Sequence, residues 1–250
     1  MTESEKIFAA EREHGKKLSA GDPVLTWGWG TPAGKLRAAR RADLISRGGH
    51  LAPGMRVLEI GCGTGLFTEK FAQSGANILA VDLSPELLDL ARQRNLPPEQ
   101  VTFLEAPFEE CAERGPFDAI IGSSILHHLD CAVALPKILS LLKSEKAGGG
   151  GYFSFCEPNM LNPQIWVTLH FRRFFPWMSP DETAFKRWDM RRALAAAGFA
   201  DIQITPFDWL HPRVPAALIP AVKFGEKFIE NCPGAREFSG SLWITARRVR

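Results

Sequence analysis

The chain has 250 residues, enough for one large domain with its own core. Hydrophobic residues make up 45% and charged residues 23%, and 30 basic against 28 acidic side chains leave a formal charge of +2, too slight to demand a nucleic-acid or membrane partner. Cys62, Cys111, Cys131, Cys156 and Cys232 are scattered without a CxxC pair, the N-terminus lacks a signal peptide's apolar run, and no stretch reaches the ~18 apolar residues of a spanning helix, so a soluble cytoplasmic protein without disulfides or bound metal is expected.

Residues 1–50 read as a polar helical segment, broken near Gly21–Pro23 and around Trp27–Gly34. The alternation of strand and helix begins at Met55. MRVLEI is a short apolar run and predicts a buried strand. GCGTG turns the chain into a helix, LFTEKFAQSG, with Leu66, Phe67 and Phe71 at helical spacing and Gly75 as its stop. NILAVD predicts a second strand, and SPELLDLARQR a helix with Ser84 as N-cap and Pro85 at its first position. VTFLEA and FDAIIGSS predict the third and fourth strands. Residues 132–143 read as a helix whose regular part follows Pro136. Gly148–Gly151 leads into a fifth strand, YFSFC. Ser179-Pro180-Asp181-Glu182 has capping-box spacing and predicts a helix through Phe185, Trp188 and Leu194 to Gly198. ADIQITPF and SLWITARR predict two last strands that extend one edge.

Alternating strands and helices imply a Rossmann-like α/β fold, a doubly wound sheet with its ligand crevice at the carboxyl ends of the strands. The expected division is an N-terminal helical extension or lid, 1–50, and a ligand-binding domain, 51–250. Its insertions at 157–178 and 208–238 are rich in aromatics and prolines and are expected to shape the site.

The chemistry centres on Val57-Leu58-Glu59-Ile60-Gly61-Cys62-Gly63-Thr64-Gly65. Three alternate glycines after a buried strand let backbone turn tightly against a ligand, at a helix N-terminus with unpaired N–H groups. A dinucleotide fingerprint, G-x-G-x-x-G/A, would place a small residue where Leu66 stands. S-adenosylmethionine has no phosphate and needs a loop around its amino-acid tail, whose ammonium Glu59 suits directly or through water. Asp82, at the end of the second strand, can accept both ribose hydroxyls. Leu83 can pack on adenine or on core. Glu105 can accept from the adenine amino group, or be a solvated acid, and the Ala106 N–H can reach a ring nitrogen.

With these segments in order, the chain resembles the class I S-adenosylmethionine-dependent methyltransferases, especially their small-molecule branch. VLEIGCGTG, VDLSPELLDLAR, LEAPFEE and FDAIIGSSILHHLD carry the likeness, strong over roughly 55–157. The resemblance implies a sheet of about seven mostly parallel strands with one antiparallel strand near the C-terminus. It also implies cofactor contacts by Gly61, Gly63, Asp82, Leu83, Glu105, Ala106 and Ser123, to which the glycine loop adds Glu59, Cys62 and Gly65 as candidates. Family members acting on base amino groups often carry Asn/Asp-Pro-Pro-aromatic after strand four. Ser123-Ser124-Ile125-Leu126 stands there instead and favours a small-molecule acceptor over nucleic acid.

His127 and His128 lie past the fourth strand at the crevice edge. A neutral imidazole near pH 7 suits a hydroxyl or phenol acceptor, and a packing role is the alternative. Lys35, Arg37, Arg40 and Arg41 read as a solvated basic helical face. Trp27 and Trp29 could cover the cofactor or pack in the core. His170, Phe171, Phe174, Phe175, Trp177 and Trp188 suggest an aromatic or apolar substrate pocket in preference to a membrane-surface contact with Arg172 and Arg173 at the headgroups. Rival readings are an NAD-dependent oxidoreductase, a non-catalytic partner subunit that binds S-adenosylmethionine, and a methyltransferase acting on protein or RNA.

Overall fold

Each predicted apolar run becomes a strand of a single sheet: β1 (Arg56–Ile60), β2 (Asn77–Asp82), β3 (Val101–Glu105), β4 (Ala119–Ser123), β5 (Gly151–Pro158), β6 (Ala200–Phe207) and β7 (Ser241–Arg248). The structure, a computed structural model, describes residues 12–13, 15–147, 149–174 and 182–249. The strand order is β3-β2-β1-β4-β5-β7-β6. β1 to β5 pair in parallel, and β7 runs antiparallel to both β5 and β6. The mostly parallel sheet with one antiparallel strand is thus present.

Side chains alternate across the pleat, and both faces are buried. Leu58, Ile60, Val81, Ile120 and Phe155 face one core cluster. Val57, Ile78, Ala80, Ala119 and Ile121 face the other, which also holds Ile45, Phe71 and Leu88. The helices that bury these faces are α1 (Pro32–Gly48), α2 (Leu66–Ala72), α3 (Pro85–Arg92), α4 (Cys131–Leu141) and α6 (Arg187–Ala197), while α5 (Pro163–His170) and α7 (Ile219–Asn231) lie outside both clusters. Their ends follow local chemistry. The hydroxyl of Ser84 accepts from Leu87 N and starts α3. Gly198 takes a left-handed conformation and ends α6. Among the described residues no helix is long and apolar enough to cross a membrane.

Two helices depart from the sequence expectation. α4 runs unbroken from Cys131 through Pro136. Pro136 and Ala132 are both exposed, so the carbonyl that loses its helical partner faces water, which replaces the bond. α6 starts at Arg187 rather than near Pro180. Phe185 N donates to Pro158 O (3.1 Å) and Phe185 O accepts from Met160 N (2.9 Å), which holds that stretch extended. Gly148, Phe175, Trp177 and Ser179–Asp181, which carried expectations above, lie outside the described residues, as does most of the first helical stretch.

Candidate active site

Strand order reverses between β1 and β4, so the loops after them diverge and leave a crevice at the sheet's carboxyl edge. A cavity of about 340 Å³ lies there, walled by the ends of β1, β2 and β4 and by the N-terminal segment. The glycine loop forms its floor. Gly61 has φ +69°, and a Cβ there would stand 2.6 Å from the Ile125 side chain, so no other residue fits without displacement. Gly61, Cys62 and Gly63 line the cavity. So does Thr64, whose buried Oγ1 finds no hydrogen-bond partner among the described residues. The Cys62 thiol stays protonated because burial pushes its pKa well up. Gly65 does not line the cavity. It begins α2 at φ +71°, where a Cβ would come within 3.0 Å of Ala91 on α3, so its role is close helix packing.

Asp82 ties this loop to the next. One carboxylate oxygen accepts from Gly63 N (2.7 Å), the other from Ser84 N (2.9 Å), and the side chain also lines the cavity. Leu83 and Ala106 lie on the same wall. The Ala106 N–H, expected to meet a ring nitrogen, instead donates to Asp82 O (3.2 Å) as the sheet ladder continues one residue further. Glu105 is also placed differently: it is exposed, outside the cavity wall, and paired with Arg12 (3.0 Å), which reaches Leu83 O as well. Glu59 sits on the Val57 face of β1, beneath the loop and away from the cavity wall, with Thr68 beside it. Burial is the largest influence there and raises its carboxyl to about 8, so it is neutral at pH 7. A direct ion pair to an ammonium is therefore not built into this arrangement.

The far end of the cavity is built by the turn after β4 and the end of β5. Ser123, Ser124, Ile125, His127 and His128 line it, with Glu182 opposite. Ser124 holds φ +56°, a strained value for a non-glycine residue. The turn is held by Glu157, fully buried at the end of β5. One of its oxygens accepts from Ile125 N and Leu126 N (both 3.0 Å), and the other from His127 Nδ1 (2.7 Å). His127 Nε2 lies 3.4 Å from Glu182 Oε1, and the His128 ring is 4.1 Å from that of His127. Burial alone would lower the His127 pKa, but the hydrogen bonds and charges of the two glutamates outweigh it and raise it to about 9. The neutral imidazole expected at pH 7 is thus protonated in this arrangement. His127, His128 and Glu182 also bring ligand-capable atoms within 4.8 Å of one another. Glu182 lies more than fifty positions from the histidines, so spacing along the chain could not reveal that group.

Of the basic residues of α1, Lys35 is exposed as expected, but Arg37, Arg40 and Arg41 are not a solvated stripe. Arg37 pairs with Asp208 (2.7 Å), and Arg40 with Glu226 (2.7 Å) and Glu230 (2.5 Å), which fastens the segment 208–238 to α1. Arg41 is buried, with Nη1 donating to Ser124 Oγ (2.8 Å) and Ser123 Oγ (3.2 Å). The guanidiniums of Arg37 and Arg41 lie over the Trp29 ring. Trp27 and Trp29 line the cavity, as do Gly15 and Leu18. The expected aromatic pocket is not assembled from its described members: Phe171, Phe174 and Trp188 are exposed and His170 stacks on Trp166, all off the cavity wall.

Residues 57–145 match the family described as "Methyltransferase domain". Among curated proteins, the chain is 39% identical over 129 residues to a "Ubiquinone biosynthesis O-methyltransferase" from Xylella fastidiosa, covering 48% of this chain and 52% of the relative. It is 41% identical over 93 residues to a "Magnesium-protoporphyrin O-methyltransferase" from Rhodobacter capsulatus, covering 36% and 41%. The chain thus spans about half the length, or less, of these relatives. Among solved structures, the N-methyltransferase NodS from Bradyrhizobium japonicum, in complex with S-adenosyl-L-homocysteine, superposes with a TM-score of 0.64 over 96% of this chain and 99% of that one; at 17% identity the likeness is one of fold. The sheet and the glycine-loop crevice define a Rossmann-like nucleotide-binding fold. Over residues 57–145 the chain is similar to a methyltransferase domain, and its fold is like that of solved S-adenosylmethionine-dependent methyltransferases.

Proposed function

We propose that this chain transfers a methyl group from S-adenosylmethionine to an oxygen of a small-molecule acceptor, in the cytoplasm. The observation that carries the reading is the cavity itself: a bare glycine bend and a carboxylate at one end, a histidine pair and a carboxylate at the other. The residues fit the cofactor. Backbone at Gly61–Gly63 and the unpartnered Thr64 hydroxyl suit its amino-acid tail. Asp82 lines the cavity where a carboxylate would meet ribose hydroxyls, and Leu83 and Ala106 offer an apolar wall for adenine. When bound, S-adenosylmethionine supplies a methyl group already activated by its sulfonium. The chain's own part is to align the acceptor, exclude water and deal with its proton. Ser123, His127, His128 and Glu182, which line the acceptor end, are assigned to that part, His127 for alignment rather than as a base at pH 7. Oxygen is favoured because the curated relatives named above are O-methyltransferases.

The N-terminal segment, residues 1–50, is proposed as a cover over residues 51–250, with Trp27 and Trp29 closing the cavity and Arg12 gripping Glu105. Leu66 lines the cavity at the first turn of α2, where a pyrophosphate would need to approach, and this disfavours the dinucleotide reading. Calorimetric titration with S-adenosylhomocysteine and, separately, NADH tests the proposal. Saturable binding of the first alone is expected; binding of NADH alone refutes it. Methyl transfer to a panel of hydroxylated acceptors then separates an enzyme from a binding subunit, which would give no turnover.

A further inference from the structure

Three side chains at the acceptor end converge in a way that methyl transfer as such does not require. His127, His128 and Glu182 each offer a ligand atom, all within 4.8 Å of one another. Two imidazoles and one carboxylate are donors that a borderline divalent cation such as zinc takes. Tetrahedral zinc spaces nitrogen and oxygen ligands about 3.3 Å apart. His127 Nε2 and Glu182 Oε1 are already 3.4 Å apart, so side-chain rotation has to close the remaining gaps by at most about 1.5 Å.

A second, independent observation comes from Glu157. Its carboxylate is held by two backbone N–H groups and can only accept from His127 Nδ1. Nδ1 therefore carries a hydrogen, and Nε2 is the atom turned toward Glu182. A carboxylate behind an imidazole in this way fixes the ring's orientation and raises its strength as a ligand. Three protein ligands leave a coordination position open, and all three residues line the cavity, so that position faces the space left for an acceptor.

We propose that His127, His128 and Glu182 form a site for a divalent transition metal of the zinc class, and that the acceptor is a hydroxyl compound bound to that cation through oxygen. The second half rests on the methyl-transfer reading; the first does not. A hydroxyl coordinated there releases its proton to water near neutral pH and leaves its oxygen electron-rich. Glu157 is then a positioning residue, acting through His127.

The test is calorimetric titration of ZnCl2 into EDTA-dialysed full-length protein, with CoCl2 absorption as a spectroscopic check. One ion per chain is expected, with Kd below about 10 μM. His128→Ala and Glu182→Gln should each weaken binding at least about tenfold while circular dichroism stays unchanged. These variants are chosen because His127→Ala strands the buried Glu157 and risks the fold. His170→Ala and Cys232→Ser, outside the group, should bind as the wild type does. Absence of stoichiometric zinc binding, or binding indifferent to His128→Ala and Glu182→Gln, overturns the site. S-adenosylhomocysteine titrated into the same samples keeps the two readings apart. If it binds and zinc does not, only the metal site falls; if zinc binds and it does not, only the acceptor's role on the metal falls.

Discussion

Asp82→Asn probes the junction on which the cavity depends. The native carboxylate receives Gly63 N at 2.7 Å and Ser84 N at 2.9 Å. Hydrogen bonds to a charged acceptor contribute about 1.5–3 kcal/mol each. The amide keeps one oxygen but turns an NH2 group toward the other backbone N–H, so one bond is lost outright and the second weakens. The expected cost is about 2–3 kcal/mol of stability. At roughly 2–4 °C per kcal/mol for a domain of this size, the melting temperature should fall by roughly 4–12 °C. Loss of the charge should also weaken S-adenosylhomocysteine at least about tenfold, equivalent to about 1.4 kcal/mol. Differential scanning calorimetry and titration calorimetry measure the two effects. A variant that melts and binds like the wild type would remove Asp82 from both roles.

Glu59→Gln should change how stability responds to pH. The folded carboxyl titrates at about 8, against 4.5 for the free group. Between those values the unfolded chain is ionised while the folded chain holds the proton, so wild-type stability falls as pH rises, by about 1.4 kcal/mol per unit. The glutamine variant lacks this slope, and urea midpoints from pH 5 to 8 should diverge between the two proteins; parallel curves would show that Glu59 is not a neutral buried acid. Gly61→Ala should cost at least about 2 kcal/mol, since φ +69° and a contact at 2.6 Å both oppose a Cβ. Gly225→Ala, with nothing within 4 Å on α7, should instead stabilise by about 0.5–1 kcal/mol in the same urea assay. Arg40→Met leaves Glu226 and Glu230 facing each other without their cation and should destabilise by about 2–3 kcal/mol, read by chemical denaturation; a neutral result would mean that these pairs do not hold the segment 208–238 to α1.

The strands were legible because each is a short apolar run bounded by a glycine, a proline or a cap, and those signals are local. Gly75 and Gly198 marked helix ends, and Ser84 a start, for the same reason. What the sequence hid lies in pairings between distant residues. Arg37 and Arg40 read as a solvated stripe because their acids sit at 208, 226 and 230. Glu105 looked available for adenine until Arg12, 93 positions away, claimed it. Glu182 looked like a capping residue, yet main-chain bonds from Phe185 hold its segment extended beside His127. The period of two put Glu59 on the face opposite Leu58 and Ile60 but could not tell that this face is dry. Pro136 misled because the rule against helical proline weakens where the orphaned carbonyl meets water.

The most direct measurement is a crystal structure grown with S-adenosylhomocysteine. The account predicts density across the carboxyl ends of β1, β2 and β4, with the amino-acid tail on Gly61–Thr64, the ribose hydroxyls within hydrogen-bonding distance of Asp82, and the sulfur pointing toward Ser123, His127 and His128. The same compound bound elsewhere, or not bound at saturating concentration, would contradict it.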